Sequence, residues 1–138
     1  MGAMFYVASL KVDVVNISAG GANFNPLEYA AVKRILESGA KLVVAAGNER
    51  DNLDKNCNFY PACYFPEIIV VGNGAWRRNK FKIYSNYGSQ IDQWEDGMFH
   101  VAYGIFGSGS SMSAAVASGK LLLKLHQAQL LKKPPPSK

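Results

Sequence analysis

The sequence predicts an α/β protein built on a parallel sheet, and three observations predict it. Residues 12–17, 41–46 and 68–72 are short, largely apolar runs rich in β-branched side chains. That is the composition of strands covered on both faces. The first two runs flank a stretch with helical periodicity, and a strand–helix–strand unit implies a right-handed parallel crossover. A long helical stretch over 110–131 closes the pattern. The expected core is one sheet of three parallel strands, flanked by helices over 26–38 and 111–131.

Each element has a local reason. Residues 4–10 are apolar and read as the end of a helix. The first strand ends in Ser18-Ala19-Gly20-Gly21, small residues that let another backbone or a ligand come close. Asn25, Pro26 and Glu28 supply the N-cap, N1 and N3 residues of a helix start. Leu27, Ala31, Val32, Ile35 and Leu36 form its apolar stripe, and Gly39 is its C′ stop. The second strand runs into Gly47-Asn48-Glu49. Residues 49–66 show no period. After the third strand, 81–84 and 90–94 read as shorter strands around the turn Ser85-Asn86-Tyr87-Gly88, and 100–102 as a last short strand. On the final helix Ala115, Gly119, Leu122, Leu123 and His126 share one face, which is expected to pack. Pro134-Pro135-Pro136 stops it. The sequence shows no internal repeat and no linker, so residues 1–131 read as one unit, followed by a basic, proline-rich tail over 132–138 that is expected to be disordered.

Composition narrows the function classes. The net charge is +5, but residues 1–119 carry ten basic and ten acidic side chains. The excess is Lys120, Lys124, Lys132, Lys133 and Lys138, the signature of a solvated C-terminal tail rather than a nucleic-acid face. No apolar run approaches membrane-spanning length. Residues 1–10 lack a positive n-region and a cleavage site, so no signal peptide is expected. Compartment stays open. Cys57 and Cys63 do not have zinc spacing, and a small loop disulfide and two thiols are equal alternatives. Asp51 and Asp54 could touch a structural calcium ion, but their spacing fits no calcium loop, so they are expected to be solvated and no cofactor is implied.

The chemistry concentrates at Gly107-Ser108-Gly109-Ser110-Ser111-Met112-Ser113-Ala114. A glycine-rich turn delivers Ser111 to the first turn of a helix, where free N–H groups and the macrodipole favour negative charge. Attack of a serine oxygen on a carbonyl creates that charge one bond away. Capping alone also explains a serine in this position. A phosphate-loop reading fails, because Lys120 is followed by Leu121, and no GxSxG elbow centres on Ser110 or Ser111.

Four segments stand in order: residues 14–21, residues 43–49, Tyr60-Pro61-Ala62 with residues 69–72, and Gly109-Ser110-Ser111-Met112-Ser113. Together they resemble the C-terminal half of the catalytic domain of subtilisin-like serine proteases, over roughly residues 5–125. The resemblance implies a three-layer fold, incomplete here, and Ser-His-Asp acyl transfer. It makes Ser111 the nucleophile and Asn48 the side-chain oxyanion donor, with the Ser111 N–H as its partner. It makes Ser18, Ala19, Gly20 and Gly21 the segment that pairs with substrate backbone. Ala46, Gly47 and Glu49 become the opposite wall of the specificity pocket. Tyr60-Pro61 matches a cis-proline position.

Departures matter as well. The family's Asp and His motifs belong upstream of the first strand. Ala114-Ala115-Val116 stands where a small residue, Pro and His are usual, and Ser110 replaces threonine. His126 lies about 22 Å down the helix from Ser111 at 1.5 Å per residue. Neither it, His100 nor Asp13 is expected to serve as base or orienter. The expectation is a protease portion acting on a peptide or protein substrate. It would need an N-terminal half bearing Asp and His, or would associate with its own kind through an exposed sheet edge. The alternative is an inactive, subtilase-derived peptide-binding module.

Overall fold

The computed structural model describes residues 2–102 and 104–131; the tail expected over 132–138 lies outside the described residues. The elements are α1 (Gly2–Ser9), β1 (Val14–Ile17), α2 (Pro26–Glu37), β2 (Lys41–Ala45), β3 (Ile69–Arg77), β4 (Lys80–Ile83), β5 (Gln93–Glu95), β6 (His100–Ala102), β7 (Ile105–Gly107) and α3 (Ser110–Leu131). β1, β2 and β3 are parallel neighbours in that order, with Ile17 opposite Val44 and Val44 opposite Val70. β5 extends the parallel set by pairing with the first half of β3, while β4 turns back antiparallel on its second half. β6 and β7 form a separate hairpin.

The fold is a mixed α/β sandwich with a largely parallel sheet. Alternation along β2 builds it. Leu42 and Val44 face Val32 and Ile35 of α2, whereas Val43 and Ala45 face Ala114 and Ala117 of α3. All of the β2 side chains named here are buried, so this strand is dry on both sides. The entry to α2 follows its cap: Asn25 Oδ1 accepts from the Leu27 and Glu28 N–H groups at 2.9 and 3.2 Å. Gly39, at φ +86°, ends the helix with its N–H on the Leu36 carbonyl.

Several expectations need correction. β1 starts at Val14, not 12, and Leu27 is exposed rather than part of the buried stripe. β3 does not stop at Gly72. It continues to Arg77, with Gly74–Arg77 paired to β4, and at Gly72 the Trp94 ring occupies the space a side chain would need. β5 is shorter and later than 90–94, and β7 was not anticipated. Of the two alternatives left open for Cys57 and Cys63, the disulfide is the one formed, with Cα atoms 5.6 Å apart. Asp54 is not merely solvated: its carboxylate accepts from the Ser89 N–H and hydroxyl at 2.7 and 2.6 Å, which holds its pKa below the usual carboxylate range.

The largest correction concerns α3. Its buried residues are Ser110, Ser113, Ala114 and Ala117, while Leu122 and Leu123 are 50% and 63% exposed. Gly119 faces open space. Small side chains let the helix lie close on the sheet, and two polar ties set its rotation. Ser113 Oγ donates to the Glu95 carbonyl at 3.0 Å. Lys120 Nζ meets both oxygens of the buried Glu95 carboxylate at 2.7 and 2.8 Å, so this lysine is not a tail charge.

Two outcomes follow. Lys120→Met leaves the Glu95 carboxylate with Gln93 as its remaining side-chain partner. It should destabilise the chain by about 1–3 kcal/mol in urea unfolding, the cost of an under-satisfied group whose partner is half in water. Tyr64 should make stability fall in alkali. Its phenol pKa is pushed up to about 12, by burial first and then by the Glu28 carboxylate it donates to at 2.8 Å. An unfolded phenol ionises near 10. The folded state therefore binds the proton more tightly, and its advantage, intact below about pH 10, is lost as pH rises towards 12. Unfolding of Tyr64→Phe should show a shallower loss across that window.

Candidate active site

The site forms where the ends of β1 and β2 meet the start of α3. β2 ends in the core at Ala46, whose N–H donates to the Val71 carbonyl. The chain then turns sharply at Gly47, at φ +92°, a left-handed conformation that favours glycine. Behind this turn sits Asn86, 1% exposed. Its Nδ2 donates to the Ala46 carbonyl and to Glu49 Oε2, both at 2.8 Å. Its Oδ1 accepts from the Asp51 N–H at 2.9 Å, and its own N–H donates to the Gly47 carbonyl. One side chain thus holds both sides of the turn that carries Asn48.

The turn meets α3 through two reciprocal bonds. The Gly47 N–H donates to Ser110 Oγ at 3.1 Å, and the Ser110 N–H donates to Asn48 Oδ1 at 2.9 Å. The oxygen end of the Asn48 amide is therefore occupied, and among the described residues its NH₂ end has no hydrogen-bond partner. Among the described residues the Ser111 N–H has no hydrogen-bond partner. Ser111 is partly buried. Its Oγ donates to the Ser18 carbonyl at 3.0 Å, and Ser18 Oγ donates back to the Ser111 carbonyl at 2.8 Å. Asn16 Nδ2 and Ser118 Oγ extend this network along β1 and α3.

The two expected walls have different fates. Gly21 is bridged to Tyr60 by two backbone bonds, Gly21 N–H to Tyr60 O at 2.9 Å and the reverse at 2.8 Å. Among the described residues the Ala19 and Gly20 peptide groups carry no hydrogen bond, and both residues are exposed. Ala46 is fully buried in the core cluster with Leu42 and Val44. Glu49 and Gly20 border a cavity of about 120 Å³. The Tyr60–Pro61 bond is cis. His100 Nε2 lies 2.6 Å from the Asp96 carbonyl, at the base of the β6–β7 hairpin. The Asp96 carboxylate there is held below its usual range, first by its hydrogen bond with Arg77. Among the described residues no three His, Cys, Asp or Glu side chains gather to hold a metal ion. Sequence reasoning missed Asn86, although the turn containing it was noticed; a polar residue beside a small one in such a turn was its only signal.

The site thus joins a parallel sheet, a serine at the start of a helix docked on that sheet by small residues, and an asparagine tied to the same helix start. The sequence matches the Subtilase family profile, peptidase S8, over residues 1–133. The chain belongs to the subtilase family. It is 33% identical over 126 residues to the intracellular serine protease of Paenibacillus polymyxa, covering 87% of this chain and 38% of that one. It is 34% identical over 125 residues to the major intracellular serine protease of Bacillus subtilis strain 168, covering 86% and 38%. Subtilisin-like protease 2 of Arthroderma otae matches at 36% over 84 residues, 61% of this chain and 19% of that one. The chain thus spans well under half the length of these relatives.

Asn86→Ala should cost about 1–3 kcal/mol in denaturant unfolding, because it strands the buried partners of the amide. Amide hydrogen exchange should accelerate at Asp51, whose N–H loses its acceptor.

Proposed function

We propose that this chain carries the nucleophile and oxyanion hole of a serine endopeptidase. It would hydrolyse peptide bonds when joined by a half bearing the catalytic Asp and His. The observation that carries this reading is the Asn48–Ser110 bond. It anchors the amide oxygen one residue from Ser111 and leaves an NH₂ donor and a helix N-terminal N–H free at the same turn. Fixed donors of this kind stabilise the charge that develops on a carbonyl oxygen under attack, and they need no reorganisation as it forms. The unpaired peptide groups of Ala19 and Gly20 suit a substrate strand added alongside.

Among the described residues no side chain that takes up a proton is hydrogen-bonded to Ser111 Oγ. Ser111 Oγ gives its hydrogen bond to a backbone carbonyl, which does not take a proton at neutral pH. A nucleophilic serine needs a base, held in turn by a third group. The outer edge of β1, which pairs on one side with β2, is the proposed seat of the half that brings them.

The test is peptide hydrolysis by the purified chain, alone and mixed with a separately expressed Asp/His half from a relative. Alone, turnover should be at background; on mixing it should appear, and Ser111→Ala should abolish it. Asn48→Ala should lower turnover by about 10²–10³, the loss known for the same donor in a subtilisin. Ordinary enzyme rates from the isolated chain would place a base within it and overturn the reading. Peptide binding with no recovery on mixing would instead establish a non-catalytic module.

A further inference from the structure

The even balance of charge over residues 1–119 hides a local excess. Four of the ten cations there, Arg77, Arg78, Lys80 and Lys82, fall within six residues that hold no acid. They belong to the β3–β4 hairpin, whose register sets Arg77 opposite Lys80, Trp76 opposite Phe81 and Gly74 opposite Ile83. Opposed residues share a face and successive ones alternate. One face is therefore cationic, and the other carries Trp76, Phe81 and Ile83, 71%, 38% and 42% exposed. Arg77 pairs with Asp96, but among the described residues Arg78, Lys80 and Lys82 have no ion-pair partner. Folding alone does not favour this arrangement. Charges of one sign directly opposed across two strands are destabilising. Arg78 and Asn79 at the tip have φ of 48° and 62°, where an arginine stands at a conformational cost. Lysines on an edge strand do keep it from pairing with other chains, but that role calls for no exposed tryptophan beside them.

A second hairpin stands next to the first. The Arg77–Asp96 pair joins their roots, and Asn73 Oδ1 of β3 accepts from the Gly97 N–H at 3.0 Å. Phe99 precedes β6, and Val101 and Phe106 are opposed across β6–β7; the three are 76%, 57% and 78% exposed. We propose that the two hairpins form a docking surface for an anionic lipid bilayer. The chemistry of each part fits that partner. Anionic headgroups attract Arg78, Lys80 and Lys82. A tryptophan settles at headgroup level, its ring towards the acyl chains and its N–H towards water. Phenyl and branched side chains enter the acyl boundary whatever their outline, whereas a folded protein must match them in shape. A nucleic acid would take the cations and stack on the rings but leave Ile83 and Val101 in water. The surface lies outside the Ser111 site, and this inference stands whether or not the peptidase reading holds.

The experiment is co-sedimentation of the full chain with vesicles of phosphatidylcholine alone and of phosphatidylcholine mixed with phosphatidylserine. Binding to the mixed vesicles should be tighter by at least about tenfold and should weaken as salt is raised. Tryptophan emission should shift to the blue on binding, and Trp76→Phe, which leaves Trp94, should lose that shift. The triple variant Arg78→Asn, Lys80→Gln, Lys82→Gln changes exposed side chains only, so its melting temperature should stay near that of the wild type. Its affinity for the mixed vesicles should fall at least about tenfold. Binding that survives these substitutions would put the attraction on other cations, such as Lys132 and Lys133, and overturn the proposal. Equal binding to both vesicle types, or to neither, would overturn it too. Tighter binding of poly-glutamate or of an oligothymidine than of the mixed vesicles would assign the surface to an acidic polypeptide or a nucleic acid instead.

Discussion

The side chain of Asn86 is the constraint on which the rest of the site depends. A strand that ends in a sharp turn leaves backbone groups without ladder partners, and buried ones must be satisfied. Asn86 supplies a donor to Ala46 and Glu49 and an acceptor to Asp51, from a position sealed from water. The turn is thereby rigid without being part of the sheet. Asn48 inherits that rigidity, and through it the first N–H of α3 does too. An amide suits this place because it offers both donor and acceptor while adding no charge to a buried site.

The sheet contributes in a different way. β2 is covered on both sides, by α2 and by α3, and each helix approaches as closely as its contact residues allow. On the α3 side those residues are alanines and serines. Close approach matters more there than buried area per residue, because Ser111 must reach Ser18 while Ser110 reaches Gly47. The serines at 110 and 113 are 0% exposed, and each has a backbone partner, so the polar contacts fix the helix while the alanines fill the space.

Much of this was legible in the sequence. The three parallel strands follow from apolar runs, and α2 from its cap, proline and terminal glycine, all of which act over a few residues. The Gly/Ser turn leading to Ser111 was likewise visible, and its ordered company carried the resemblance to the family. What escaped depends on partners far along the chain. The leucines of α3 outnumber its alanines in apolar weight, yet Glu95 and Val71 decide which side faces inward. The second half of β3 is a strand because β4 turns back to pair with it. Asn86 lies in a turn whose composition says nothing of its partners, and only its three-dimensional neighbours give it a role.

The pair Ser111–Ser18 spans 93 residues of sequence. Contacts of that span must recover a large loop-closure entropy before they stabilise anything, so they form late in folding. Neither of the chain's two ends can be lost from the order of events: β1 must be docked on β2, and α3 must already lie across both. The functional geometry is thus a record of completed folding, present only once nearly the whole chain has closed upon itself. A partly folded species can keep the α2–β2 side of the core and still have no site at all.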